Sequence, residues 1–156
     1  MKWTLGHTVR PGEIGYLTYL HCIVYAREYG IIQCIYGGLA ESFQSLKPKK
    51  GRIWLARAHG RIIGSVAIVG RSKLEAQLRW FFVHPQYRGR GIGKNLLTEA
   101  LQFSKRRKYR SVFLWTIGTG PAPHLYIDVG FRKTEEKTRH LIWGKTVKEE
   151  RYDLHP

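Results

Sequence analysis

Arg88-Gly89-Arg90-Gly91-Ile92-Gly93-Lys94 is the stretch on which the reading of this chain turns. Before it, residues 74–84 read as a strand that Pro85 breaks; after it, residues 92–108 read as a helix. A glycine-rich turn feeding a helix N-terminus is an anion cradle, because orphan backbone N–H groups and the positive end of the helix dipole converge on one point. Glycine lets that backbone approach a ligand where a Cβ would stand in the way. Two common phosphate motifs fail on spacing. A dinucleotide fingerprint needs G-x-G-x-x-G, whereas Gly89, Gly91 and Gly93 alternate. A Walker loop would need glycine where Arg88 stands and Ser or Thr where Asn95 stands.

What remains is R-x-x-G-x-G, carried by Arg88, Gly91 and Gly93, and a second motif lies downstream. Leu125-Tyr126-Ile127-Asp128-Val129-Gly130-Phe131 reads L-Y-x-x-x-G-F, separated from the loop by one helix and by an apolar, β-prone strand over 111–116. On its own, Tyr126 is equally a core aromatic on an amphipathic helix, with Gly130 an ordinary helix stop. Together and in this order, the two motifs resemble the GNAT superfamily of acyl-CoA-dependent N-acyltransferases. The element order extends the resemblance over nearly the whole chain. A strand over 3–9 precedes a helix over 13–29 that Gly30 stops and a second helical stretch over 31–46. A hairpin over 53–58 and 61–69 turns at His59-Gly60, and a β-rich stretch over 131–154 closes the chain. That is β-α-α-β-β-β-α-β-α-β-β, an α/β (α+β) fold with a mixed sheet of about seven strands flanked by four helices.

The fourth strand alternates Leu74, Ala76, Leu78, Trp80 and Phe82 with Glu75, Gln77, Arg79, Phe81 and Val83, so one wholly apolar face is expected on the core. The resemblance implies that this strand parts from the next, leaving a V-shaped opening. Phe82 and Val83 would pair there with the pantetheine arm of acetyl-CoA, and the Val83 N–H would face the thioester carbonyl. The diphosphate would sit on Arg88, Gly89, Arg90, Gly91, Ile92, Gly93 and Lys94. Transfer would be direct, from acetyl-CoA as co-substrate to a primary amine. Tyr126 is the matched position for the acid that protonates the departing thiolate, and Glu75 on the polar strand face is the leading general base, with a solvated strand residue as its alternative. His21, Tyr25 and Glu28 fall at i, i+4 and i+7 on one helix face. Glu28 is a second candidate base, and Tyr25 and Glu28 are candidate substrate contacts. A family asparagine that follows the fifth strand is absent here, where the chain reads Thr116-Ile117-Gly118-Thr119. Closer still, Arg10-Pro11-Gly12-Glu13, Tyr25-Ala26-Arg27-Glu28-Tyr29-Gly30 and Leu114-Trp115-Thr116 resemble the acetyltransferase domain found behind MarR-type regulators, here read as a stand-alone single domain over 1–156.

Composition bounds the alternatives. The chain has 156 residues with 43% hydrophobic content, enough for one domain with a real core and too much for a disordered chain. No apolar run reaches a membrane span and no signal-peptide core opens it, so a cytoplasmic protein is expected. Cys22 and Cys34 read as reduced packing residues, and the histidines lack metal spacing, so no metal is expected. The formal charge is +16, with dense clusters at Lys47-Pro48-Lys49-Lys50-Gly51-Arg52 and Lys105-Arg106-Arg107-Lys108-Tyr109-Arg110. Such a field attracts polyanions, yet no nucleic-acid motif accompanies it, so nucleic-acid binding would be nonspecific. Three readings stand: a small-molecule N-acetyltransferase, a protein-lysine or N-terminal acetyltransferase acting on an acidic protein partner, and a non-catalytic CoA-binding or nucleic-acid-associated module. A homodimer is common to the resembled family, and nothing in the sequence decides it.

Overall fold

The computed structural model describes residues 1–31, 43, 46–140 and 145–156. Seven strands, β1 (Thr4–Gly6), β2 (Gly51–Ala58), β3 (Arg61–Gly70), β4 (Glu75–Val83), β5 (Ser111–Ile117), β6 (Arg132–His140) and β7 (Thr146–Leu154), form one sheet in the order β1-β2-β3-β4-β5-β7-β6. Three helices are described, α1 (Glu13–Tyr29), α2 (Ile92–Arg106) and the short α3 (Ala122–Asp128). The second helical stretch expected over 31–46 falls on residues 32–42 and 44–45, outside the described residues, as does Cys34. The class is the mixed α/β fold expected. No described helix is long and apolar enough to cross a membrane.

Helices cover both faces of the sheet. On one side Ile92, Leu96, Leu97, Ala100 and Phe103 of α2 recur at three- and four-residue spacing and pack on Trp54, Ala56, Val66, Ile68, Ala76 and Leu78. On the other, Leu17, Leu20 and Val24 of α1 pack on Ile53, Leu55, Ala67, Trp80 and Phe82. The strand β6 lies at the sheet edge with all nine residues exposed, and its charged sequence discourages edge-to-edge pairing. The first strand is shorter than expected, Thr4–Gly6 rather than 3–9: beyond Gly6 the chain turns away so that Thr8 O can accept from Arg57 Nη2 at 2.7 Å.

Two features of β4 position the site. Its only parallel neighbour is β5, and the ladder between them covers just Glu75–Gln77 against Ser111–Phe113. Beyond it the two strands separate, which is the V-shaped opening expected. The second feature corrects the expected single apolar face. Ala76 and Leu78 do pack under α2, but Trp80 and Phe82 pack under α1. Leu74 lies outside the strand and is 47% exposed. The cause is a bulge: Ser65 pairs with Phe82 and Ala67 with Arg79, so one residue of β3 faces two of β4. Trp80 takes φ 53°, its carbonyl accepts from Ser65 Oγ at 2.6 Å, and every side chain beyond it changes face.

Candidate active site

The loop after β4 is built for an anion. Gly91 caps α2 with φ 76° and no side-chain hydrogen bond, and the first turn holds no acidic residue. Its N–H groups and the dipole's partial positive charge, about half a unit, therefore meet the cleft with Arg88 and Lys94 beside them. The loop is pressed against the mouth of the splay. A Cβ on Gly93 would stand 2.8 Å from Leu125 Cδ2 and 3.2 Å from Phe81 Cζ, so α2 reaches α3 and β4 this closely only through glycine.

A cleft of about 280 Å³ runs from this loop, lined by Glu28, Tyr29, Phe82, Val83, Tyr87, Arg88, Gly89, Gly91, Ile92, Gly93, Lys94 and neighbours. A smaller cavity of about 60 Å³ lies in the splay, lined by His21, Gln77, Arg79, Trp80, Trp115, Thr116 and Tyr126 among others. Tyr25 and Phe81 line both, so the two spaces are adjacent. Tyr29 closes the far wall, its hydroxyl packed so tightly on Gly120 that a Cβ there would lie 2.0 Å from it.

Of the residues singled out in the sequence, Phe82, Val83, Arg88, Gly89, Gly91, Ile92, Gly93 and Lys94 come together at the cleft with Tyr25 and Glu28. Arg90 points elsewhere, its guanidinium 6.0 Å from the Tyr87 ring centre and near Met1 Sδ. Tyr126 lines the splay cavity, its ring 5.5 Å from Phe81 and 6.1 Å from Tyr152. Burial, then the neighbouring Tyr25 and Tyr29, pushes its hydroxyl well above the ordinary tyrosine pKa, against a hydrogen bond with Thr116 that lowers it. The Tyr126 hydroxyl thus keeps its proton at any pH near neutral.

Glu75 is not brought to this site. It starts β4 where that strand is still laddered to β5, is half-exposed, and lies 3.9 Å from Arg151. At about 3.3 Å per residue it stands roughly 20 Å along the strand from Phe82. Glu28 reaches the anion end instead, pairing with Arg88 at 2.5 and 3.2 Å, while Arg88 Nε donates to Val83 O at 3.0 Å. A carboxylate on Arg88 competes with any incoming phosphate. Glu28→Gln is therefore expected to tighten acetyl-CoA binding about two- to fivefold, the worth of about 0.5–1 kcal/mol for a part-exposed pair. Calorimetric titration checks this, and weaker binding would mean that Glu28 orients Arg88 for the ligand rather than competing with it.

Sequence reasoning set His21 on one helix face with Tyr25 and Glu28, but it missed Gln77, Arg79 and the turned-over Trp80 as cavity residues. It also could not see that the two basic clusters meet. Arg52 and Arg107 lie over the Phe103 ring at 5.1 and 5.3 Å, and Tyr109 Oη donates to Lys50 O at 2.7 Å. The patch sits at the α2 C-terminus, a helix length from the anion loop.

The family model described as the acetyltransferase (GNAT) domain matches residues 49–133. Rat N-acetyltransferase 8F1 is 32% identical over 126 residues, covering 75% of this chain and 55% of its own length. Zebrafish N-acetylaspartate synthetase is 30% identical over 132 residues, covering 83% of this chain and 43% of its own. The chain spans about half the length of the curated relatives it matches. Among solved structures, a GNAT acetyltransferase from Staphylococcus aureus superposes with TM-score 0.81 at 21% identity, covering 99% of each chain. A Salmonella typhimurium acetyltransferase holding its cofactor acetyl-CoA gives 0.75 at 15% identity, covering 98% of this chain and 93% of its own. With the glycine-rich loop, the splayed sheet and the matched domain in agreement, this chain belongs to the GNAT acetyltransferases, a family of acetyl-CoA-dependent acyltransferases.

Proposed function

We propose that this chain transfers the acetyl group of acetyl-CoA to the primary amine of a small molecule, an α-amino acid first among them. The observation that carries the reading is the continuity of the site. An anion cradle at the α2 N-terminus opens into a cleft, and the cleft adjoins a buried cavity that Tyr126 lines. A cofactor lying with its diphosphate on the loop would bring its thioester toward that cavity. The structural neighbour that holds acetyl-CoA shares this fold, which supports acetyl-CoA as the donor, and the relative named N-acetylaspartate synthetase supports an amino-acid acceptor.

In the proposed reaction the lone pair of a neutral amine forms the new N–C bond at the thioester carbon, and the C–S bond breaks. The Tyr126 hydroxyl protonates the departing sulfur and is reprotonated from solvent, while the amine sheds its surplus proton to water. Positioning supplies much of the acceleration. No Asp or Glu lines the splay cavity among the described residues, so the amine must arrive uncharged. Two pH limits follow. Activity rises with pH as the free-amine fraction grows. Because burial raises the Tyr126 pKa above 10, no fall from its ionisation is expected up to about pH 10. A pH profile of kcat/KM checks both, and a fall centred between pH 7 and 9 would remove Tyr126 as the acid.

The decisive test is thermal shift with acetyl-CoA and with CoA, followed by thiol release across an amine panel that begins with L-aspartate. No shift with either CoA species would overturn the donor assignment, and a shift without turnover on any amine would favour a binding module. A second reading, an acetyltransferase acting on an acidic protein, is supported by the joined basic patch. Residues 42–74 and 100–127 contain no Asp or Glu at all, so the patch has little internal neutralisation. We place the activity in the cytoplasm, the compartment in which Cys22 and Cys34 read as reduced packing residues.

A further inference from the structure

Two side-chain nitrogens, one on His21 and one on Trp80, are buried without a hydrogen-bond partner, and both residues line the splay cavity. His21 is 2% exposed, and its Nδ1 lies 2.9 Å from Leu17 O. A carbonyl only accepts, so Nδ1 carries the hydrogen and Nε2 presents a bare lone pair. Burial depresses the imidazole to a pKa of about 4, so the ring is neutral wherever an amine could react. Trp80 offers the opposite group, an indole N–H that can only donate. The bulge places it here: without the turn at Trp80, its ring would lie under α2, away from His21. Instead it shares a cluster with Phe82, whose ring centre is 4.9 Å from that of His21.

Buried polar groups are nearly always matched, and those that are not cluster where a ligand supplies the match. The residues lining this cavity carry one unpartnered acceptor and one unpartnered donor, include Arg79 as a cation, and number no carboxylate among those described. It opens beside Tyr25 and Phe81, toward the cleft. The complementary ligand therefore carries an N–H next to an oxygen that can accept.

We propose that His21 Nε2 and Trp80 Nε1–H hold the acceptor, so that the enzyme takes amines bearing an oxygen on a nearby carbon in preference to plain alkylamines. The amine N–H donates to His21, which aims the nitrogen lone pair at the thioester carbon. The carboxylate of an amino acid, or the hydroxyl of an amino alcohol, accepts from Trp80. Both residues position the substrate, and no bond to either forms or breaks. This rests on the acetyl-transfer reading above and narrows its acceptor.

The test compares isosteric amines at equal free-amine concentration: L-alanine against 3-methylbutan-2-amine, and 2-aminoethanol against propylamine. The parent is expected to favour the oxygen-bearing member of each pair at least tenfold in kcat/KM. Trp80→Phe, which keeps a ring but removes the N–H, should shrink that preference to within twofold. His21→Phe should lower kcat/KM at least tenfold on every amine, with acetyl-CoA affinity unchanged. A preference absent in the parent or intact in Trp80→Phe, or kcat/KM within twofold in His21→Phe, overturns the proposal and leaves the pair bridged by water alone. Should either variant fail to fold, nitrogen-15 spectra of the parent decide. The His21 Nε2 resonance must show an unprotonated nitrogen and must move when L-alanine is added to the CoA complex. An unmoved resonance overturns the proposal. Absence of thiol release with every amine, despite a thermal shift with acetyl-CoA, would instead defeat the acetyl-transfer reading itself.

Discussion

Tyr126→Phe is expected to lower kcat about a hundredfold while leaving acetyl-CoA affinity within twofold, the lower end of what loss of a positioned general acid costs. The lower end is right because the leaving group is a thiol. With a pKa near the cysteine value of about 8.5, a thiolate departs readily into water. Here it would depart into a buried splay whose lining includes Phe81, Leu114 and Trp115, where an unprotonated sulfur is poorly solvated. Tyr126 keeps its proton for that moment because the same burial raises its pKa. The substitution retains the ring that packs on Phe81, Phe131 and Tyr152, so the fold should survive with only the Thr116 hydrogen bond lost. Stopped-flow thiol release and calorimetric titration of acetyl-CoA separate the two effects. An unchanged kcat would leave Tyr126 as a core aromatic.

Gly51→Ala should destabilise the protein by about 3 kcal/mol, at the upper end of ordinary overpacking. Gly51 opens β2 opposite Val69, and a Cβ there would lie 2.4 Å from Ile68 O and 3.0 Å from Leu46 Cδ1. The first obstacle is backbone held in the β2–β3 ladder, so it cannot swing aside as a side chain would. At about 2–4 °C per kcal/mol for a chain of this size, the melting temperature should fall by about 10 °C. Scanning calorimetry checks the value, and a fall under about 2 °C would show that the hairpin end shifts freely. Because Gly51 lines neither the cleft nor the splay cavity, acetyl-CoA affinity at low temperature should be unaffected.

The glycine loop at the mouth of the cleft was legible in the sequence because it is local. Arg88, Gly91 and Gly93 must be contiguous to form a helix-capping loop, and glycine is the residue such a loop requires. The hairpin at His59-Gly60 and the α2 spacing were legible for the same reason. The turn at Trp80 was not. Leu78, Trp80 and Phe82 are all apolar, so an alternating pattern reads identically whether or not the strand changes face between them. Only the pairing with Ser65 and Ala67 on β3 reveals the extra residue. Glu75 illustrates the other limit. It lies on the strand the resemblance pointed to, but how far along it the site begins depends on where β4 parts from β5, which is set by Ser111–Phe113 more than thirty residues on. The meeting of Arg52 and Arg107 over one phenylalanine is likewise a product of topology, since neither cluster signals the other.

The short ladder between β4 and β5 has a consequence for folding as well as for chemistry. Past Gln77 and Phe113 two strand edges face each other inside the molecule without pairing. Exposed edges of this kind invite other chains, and outer edges are commonly protected by charge, as β6 is here. An inner edge is protected only by the narrowness of its gap. A thin, amide-bearing arm that enters it would take the place of a missing strand, coupling cofactor occupancy to the integrity of the sheet. At a free concentration one hundredfold above its dissociation constant, such a ligand adds about 2.7 kcal/mol to stability. Amide hydrogen exchange along β4 and β5 should slow with it, and aggregation on heating should recede. The supply of acetyl-CoA would then govern how long this protein persists as well as how fast it turns over.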